Sequence, residues 1–344
     1  MAYPKPLSEK TIKRLYDESG LSEETILFLR KMFEAAANLY GAISLSDLWE
    51  IYKEYSANME AVKIQKKDIF AFSSIARREE HDYSVYEIDE LYTEEKRADK
   101  DRFLIINEVI RDSRIQVFYN LHEMQQGKPY YVPDYLLSIS GPVISEQEKV
   151  LKDYIDNLKA TSPVIRNKYN KEITKPSPHY GMKLKDFTFL RDTDEFEIKW
   201  LSGQSEHGPK KPQEKKLNEF LKTIQGTYSE RLFRDLRFQI FTGWTPFTKV
   251  IEYLMDNLNE VGVEFTMDEA QKIVNLISDF SNNSHLYINR GWTPSELAEI
   301  SRSSGTMPKS ISLGPGIMQA VKEGKISLEE LKSQAEAMGL KIQF

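Results

Sequence analysis

Between residues 231 and 300 one four-residue phrase occurs twice. Gly243-Trp244-Thr245-Pro246 is followed by Phe-Thr-Lys-Val-Ile-Glu-Tyr-Leu, and Gly291-Trp292-Thr293-Pro294 by Ser-Glu-Leu-Ala-Glu-Ile. Both copies read as helix starts: a Thr to cap, Pro at the first helical position, then apolar residues at helical spacing. Glu296, three residues after Thr293, completes a capping box in the second copy. The two Trp residues are expected to be buried in a C-terminal helical core. Around this stretch the pattern stays helical over 214–223, 229–242, 245–261, 267–281, 293–301 and 327–338, punctuated by Gly262, Gly305 and Gly339.

Working back toward the N-terminus, the chain supplies a second set of helices. Ser8–Asp17 reads as a short, loosely attached amphipathic helix. Ser22 caps a stronger one whose apolar face runs Ile26, Leu27, Leu29, Met32, Phe33, Ala36 and Leu39, and Gly41 ends it. Ser44 or Ser46 opens the next, and Lys67–Arg78 forms a third. Tyr83–Tyr92 and Arg102–Ile110 read as two strands about the charged turn Glu94–Asp101, with period-two alternation in Ser84–Ile88. Three helices followed by a hairpin is the order of a winged-helix unit. The expected fold is therefore mainly α with minor β. It comprises an N-terminal domain (1–135) of winged-helix-like helices plus hairpin, a mixed region with a basic linker (136–212), and a C-terminal helical array (213–344).

Gln116–Gln126 is expected to be helical, with the segment through Tyr130, Tyr131 and Pro133 extended after it. A further helix covers Ser145–Lys159, with Ser145 and Glu148 read as a capping box. Phe196–Trp200 alternates as a strand, and Gly203–Pro212 reads as an exposed loop.

Composition excludes several chemistries. With 344 residues and no Cys, the chain has no disulfide, thiol nucleophile or thiolate metal site. The five His residues form no His-x-x-x-His or His-Glu-x-x-His pair, and no phosphate-binding glycine loop or nucleophile elbow is present. No cofactor, metal or catalytic residue is expected, and no run is apolar enough to span a membrane. The N-terminus lacks the apolar core of a signal peptide, which points to the cytoplasm.

Net charge is −6, against a dedicated nucleic-acid binder, but its distribution is uneven. Residues 79–101 hold ten Asp/Glu against three Lys/Arg, an acidic wing that would repel phosphate. Residues 159–185 hold seven Lys/Arg against one acid, Glu172. There Arg166, Lys168, Lys171 and Lys175 are interleaved with Tyr169 and Tyr180, a pattern that can hold a nucleic-acid backbone and stack a base. Arg231, Arg234 and Arg237 are spaced to share one helix surface that would bind phosphates or pair with the domain's own acids.

Tyr40-Gly41-Ala42-Ile43, Gly127–Pro133, Asn282-Asn283-Ser284-His285, Asn289 through Leu297, and Gly314-Pro315-Gly316 give the chain a resemblance to a family of cytoplasmic Firmicutes proteins of uncharacterised function. Some similar proteins end in a SEC-C type zinc motif, which a chain without Cys lacks. The resemblance implies a bacterial origin and supplies no catalytic residue. The functional expectation is a non-enzymatic, regulatory protein that binds a macromolecular partner, with protein placed ahead of nucleic acid. The alternatives are a nucleic-acid binder using residues 159–185 and the Arg231–Arg237 face, and an enzyme whose site is assembled from dispersed residues.

Overall fold

The structure is a computed structural model that describes residues 3–87, 103–107, 110, 115–166, 172–176, 180–186, 227–303, 310–312, 332 and 341–343. The expected turn at 94–101, strand at 196–200, loop at 203–212, helix at 214–223 and Gly314-Pro315-Gly316 lie outside these residues, as does the 327–338 helix except for Lys332. The fold is mainly α with minor β. The chain divides into two compact units, Met1–Thr293 and Pro294–Phe344.

The N-terminal elements of the first unit are α1 (Glu9–Ser19), α2 (Glu23–Tyr40), β1 (Ala42–Ser44), α3 (Leu45–Asn58), α4 (Lys66–Ala76), β2 (Tyr83–Glu87) and β3 (Phe103–Asn107). Three helix starts follow one rule: Ser8, Ser22 and Ser44 each accept the backbone N–H three residues on, which satisfies a donor the helix itself cannot. The strands form an antiparallel sheet in the order β1-β3-β2, with Ile43 opposite Ile105 and Val85 opposite Ile105 on its other side. Helix–strand–helix–helix–strand–strand with this pairing is winged-helix order.

Sequence periodicity placed only two strands here. The third, β1, has three residues and finds its partner some sixty positions away, so no local pattern announces it.

The sheet separates two cores. Ile43, Val85 and Ile105 pack with Leu29, Phe33, Leu48 and Phe72 of the helices. Their neighbours Ala42, Leu104 and Ile106 point the other way, into a second core with Phe118, Leu121, Leu236 and Phe280. Successive strand residues face opposite sides, so the stretch of β3 buried on both faces is apolar, as Leu104-Ile105-Ile106 is.

The second core belongs to α5 (Ile115–Gln125), α6 (Glu146–Asn157), α7 (Tyr228–Thr242), α8 (Phe247–Glu260) and α9 (Met267–Asn282). Each fully buried Leu, Ile or Phe contributes roughly 1.5–3 kcal/mol. Capping boxes Thr227–Glu230 and Thr266–Glu269 open α7 and α9. The expected basic linker contains a short antiparallel pair, β4 (Val164–Arg166) with β5 (Glu172–Pro176). Taken by itself, the second unit contains α10 (Pro294–Ser303) and a parallel pair, β6 (Ser310–Ser312) with β7 (Lys341–Gln343).

No helix among the described residues is long and apolar enough to cross a membrane.

Candidate functional site

In winged-helix order α4 is the helix that would enter a nucleic-acid groove. A capping box fixes its start: Gln65 and Asp68 satisfy each other's backbone donors, with Gln65 N–H donating to Asp68 Oδ2 at 2.7 Å. Ile69, Phe72, Ser73, Ile75 and Ala76 are buried, leaving Lys67, Ser74 and the following Arg78 exposed and Phe70 and Ala71 half-buried along one stripe. The charges stand at its ends and its centre is uncharged. Arg77, just past the helix, donates to Glu87 Oε1 at 2.6 Å and is largely withdrawn from solvent.

The turn after α4 carries a polar cluster. Glu79 accepts hydrogen bonds from Tyr16 Oη at 2.7 Å and Arg30 Nη2 at 3.0 Å, and shares one with His81 Nε2 at 3.2 Å. Burial alone would raise its pKa. The hydrogen bonds from His81, Tyr16 and Arg30, with the Arg30 charge, outweigh that and hold the carboxyl at about 2. Burial pushes the Tyr16 phenol up, and the adjacent Glu79 carboxylate reinforces the shift. Since Tyr16 is one of the two residues α1 buries, Glu79 ties α1 to the end of α4.

The arginines of α7 stand in three different surroundings. Arg237 donates to Glu148 Oε1 at 2.9 Å and to the Val143 carbonyl at 3.3 Å, with its guanidinium 4.7 Å from the Phe241 ring centre. Arg231 is half-buried and Arg234 is exposed. Pairing with the domain's own acids describes Arg237. The Ser145–Glu148 capping box is only half made: Ser145 accepts the Glu148 N–H, while the Glu148 side chain turns to Arg237. Among the basic-segment candidates, Arg166 lies on β4 and Lys175 on β5, whereas Lys168, Tyr169 and Lys171 lie outside the described residues.

Within the first unit, the stretches around Tyr40-Gly41, residues 128–131 and residues 287–292 meet at one joint. Gln125 Nε2 donates to the carbonyls of Tyr40 (2.9 Å) and Tyr287 (2.8 Å). Lys128 Nζ donates to Ile288 O and Asn289 Oδ1, and Arg290 returns a bond to Lys128 O at 2.7 Å. Arg290 adopts φ 50°, with its guanidinium 4.3 Å from the Tyr130 ring centre. A Cβ at Gly41, whose φ is 72°, would stand 2.6 Å from the Tyr287 ring, so only glycine fits there.

Trp292 packs at 4.8 Å on Tyr131 in this joint and is half-buried. Trp244, expected to be buried, is 40% exposed. There Pro246 takes the cap position and the helix begins at Phe247, so the two copies of the phrase differ in structure. A helix starts at each copy, after Pro246 in one and at Pro294 in the other, and neither start places a demand on the Trp.

Among the described residues no group of three or more His, Asp or Glu side chains is placed to hold a metal ion. Comparison of the chain with protein-family models, curated proteins and solved structures finds no match.

Proposed function

We propose that this protein acts by binding a partner protein through its winged-helix unit, in the bacterial cytoplasm and in a regulatory role. The observation that carries the reading is the outward stripe of α4. Its centre is Phe70, Ala71 and Ser74, with Lys67 and Arg78 at its ends. A helix that reads base edges needs hydrogen-bonding and cationic side chains along that stripe. A small, mildly apolar surface with charged ends suits a protein contact, where apolar residues anchor and charges rim.

The acidic excess of residues 79–101 works the same way, since it opposes phosphate. The nucleic-acid alternative is weakened further because Arg237 is committed to Glu148. The cytoplasmic bacterial setting rests on the family resemblance.

The test is quantitative capture from nuclease-treated extract of the source organism, comparing the wild-type chain with a Lys67→Glu/Ser74→Arg variant. Both residues are exposed, so the fold should survive. A protein enriched by the wild type and lost with the variant supports the reading. Equal enrichment by both overturns the assignment to α4.

A further inference from the structure

A groove of about 900 Å3 lies between the N-terminal strap, α1, the start of α2 and the turn after α4. Its volume falls within the roughly 300–1,000 Å3 of ordinary ligand pockets. Leu7, Ile12, Leu21 and Ile26 give it apolar lining. Glu9, Asp17, Glu23, Glu79 and Glu80 line it as well, against Lys13 and Arg30, so five carboxylates and two cations leave a surplus of three negative charges. One of those two cations, Arg30, is already paired with Glu79.

A second hollow, of about 470 Å3, shares Pro6, Glu79 and Glu80 with the groove and adds His81, Asp82 and Tyr83. Tyr83 is 5% exposed, stacks on the His81 ring at 4.6 Å, and has no hydrogen-bond partner for its hydroxyl. A buried hydroxyl left unpaired costs roughly 1–3 kcal/mol, which an incoming donor recovers. The Tyr83 phenol also lies within electrostatic reach of Glu79 and Arg30, so it belongs to the same cluster.

We infer that this groove, with the hollow that adjoins it at Glu79 and Glu80, docks a basic amphipathic segment of a protein partner, with its apolar face on Ile12, Leu21 and Ile26 and a Lys or Arg side chain directed toward Glu79 and the Tyr83 hydroxyl. The inference rests on the protein-binding reading above and names the chemistry of the partner. Charge selects the occupant. An acidic segment or a nucleic-acid backbone would meet the carboxylate surplus with like charge, whereas a cation gains from it. The apolar lining gives a wholly hydrophilic polycation nothing to bury, so an amphipathic segment fits better.

The probe is a fluorescein-labelled helical peptide of Leu and Lys at amphipathic spacing, with a matched peptide carrying Glu for Lys, measured by fluorescence anisotropy on the full chain. Asp17→Lys/Glu23→Lys/Glu80→Lys reverses three exposed groove charges. Glu54→Lys/Glu123→Lys/Asp153→Lys makes the same change in net charge on exposed residues elsewhere. Tyr83→Phe removes only the unpartnered hydroxyl.

The Lys peptide should bind and the Glu peptide should not. The groove reversal should weaken binding by at least about tenfold and the control by less than about twofold, while Tyr83→Phe weakens it severalfold with thermal stability unchanged or raised. Equal losses from the two reversals, or failure of the Lys peptide to bind, overturn the groove. A partner captured as well by the groove-reversal chain as by wild type also overturns it, yet leaves the protein-binding reading standing. Peptide binding with the predicted variant pattern, alongside an extract that yields no protein lost with the α4 variant, supports the groove and sinks the assignment to α4.

Discussion

Arg237→Met breaks the buried pair that joins α6 to α7, together with the longer bond from Arg237 to the Val143 carbonyl. The Glu148 side chain is 6% exposed and that of Arg237 18%, so neither charge is screened by bulk water. Glu148 Oε1 accepts from Arg237 at 2.9 Å, and Oε2 is buried without a partner. Burial pushes the Glu148 carboxyl up, and the charge and hydrogen bond of Arg237 recover only part of that. Methionine retains most of the stem and deletes the cation, leaving an uncompensated carboxylate. Breaking such a pair from one side costs about 3–5 kcal/mol.

The carboxyl can escape part of that cost by taking up a proton. Each pKa unit gained corresponds to about 1.4 kcal/mol at a pH above both values. Because the folded pKa stands above the unfolded one, stability is fully present below the unfolded pKa and declines as pH rises through the folded value. Urea unfolding should therefore show a larger loss for Arg237→Met at about pH 8 than at about pH 5. Glu148→Leu/Arg237→Met, which removes both charges, should lie within about 1 kcal/mol of wild type or above it. A single-variant loss below about 1 kcal/mol, or one independent of pH, would refute the reasoning.

Other positions give sharper local tests. Gly41→Ala must place a Cβ 2.6 Å from the Tyr287 ring at φ 72°, and should cost about 2–4 kcal/mol by thermal or urea melts; a loss under 1 would mean the joint relaxes freely. Glu79, held at about 2, contributes stability that is present above its unfolded pKa and is lost as pH falls below it through the folded value. Glu79→Gln should therefore cost about 2 kcal/mol at neutral pH, discounted because Arg30 is 39% exposed, and should flatten the acid limb of the stability profile between pH 5 and about 2. Trp244→Ala should cost under about 1 kcal/mol and Trp292→Ala about 2 or more, since only the second ring packs in the joint; equal losses would contradict the difference in burial.

What the sequence disclosed follows from how local each signal is. Ser8, Ser22, Ser44 and Ser145 cap helices through the amide three residues on, so residue identity suffices to find them. The Thr227–Glu230 and Thr266–Glu269 boxes carry the same spacing and were equally open to reading. β1 was not, because its three residues are a strand only through β3. Nor could sequence tell that Glu148 would leave its cap for an arginine 89 positions later. The Glu79 cluster draws on α1, α2 and the turn after α4, with bonds spanning 63 and 49 positions, and Tyr83 reveals its unpaired hydroxyl only once those neighbours are in place. The Trp244 expectation failed because Gly-Trp-Thr-Pro encodes a helix start and says nothing of which face its Trp meets.

The most direct test of protein binding over nucleic-acid binding is a titration of the full chain with labelled mixed-sequence duplex DNA and single-stranded RNA at low salt, about 50 mM, where phosphate contacts are strongest. The account predicts no saturable binding to either. Saturable binding that weakens steeply as salt rises, and that Lys67→Glu abolishes, would contradict it and make α4 a nucleic-acid reader after all.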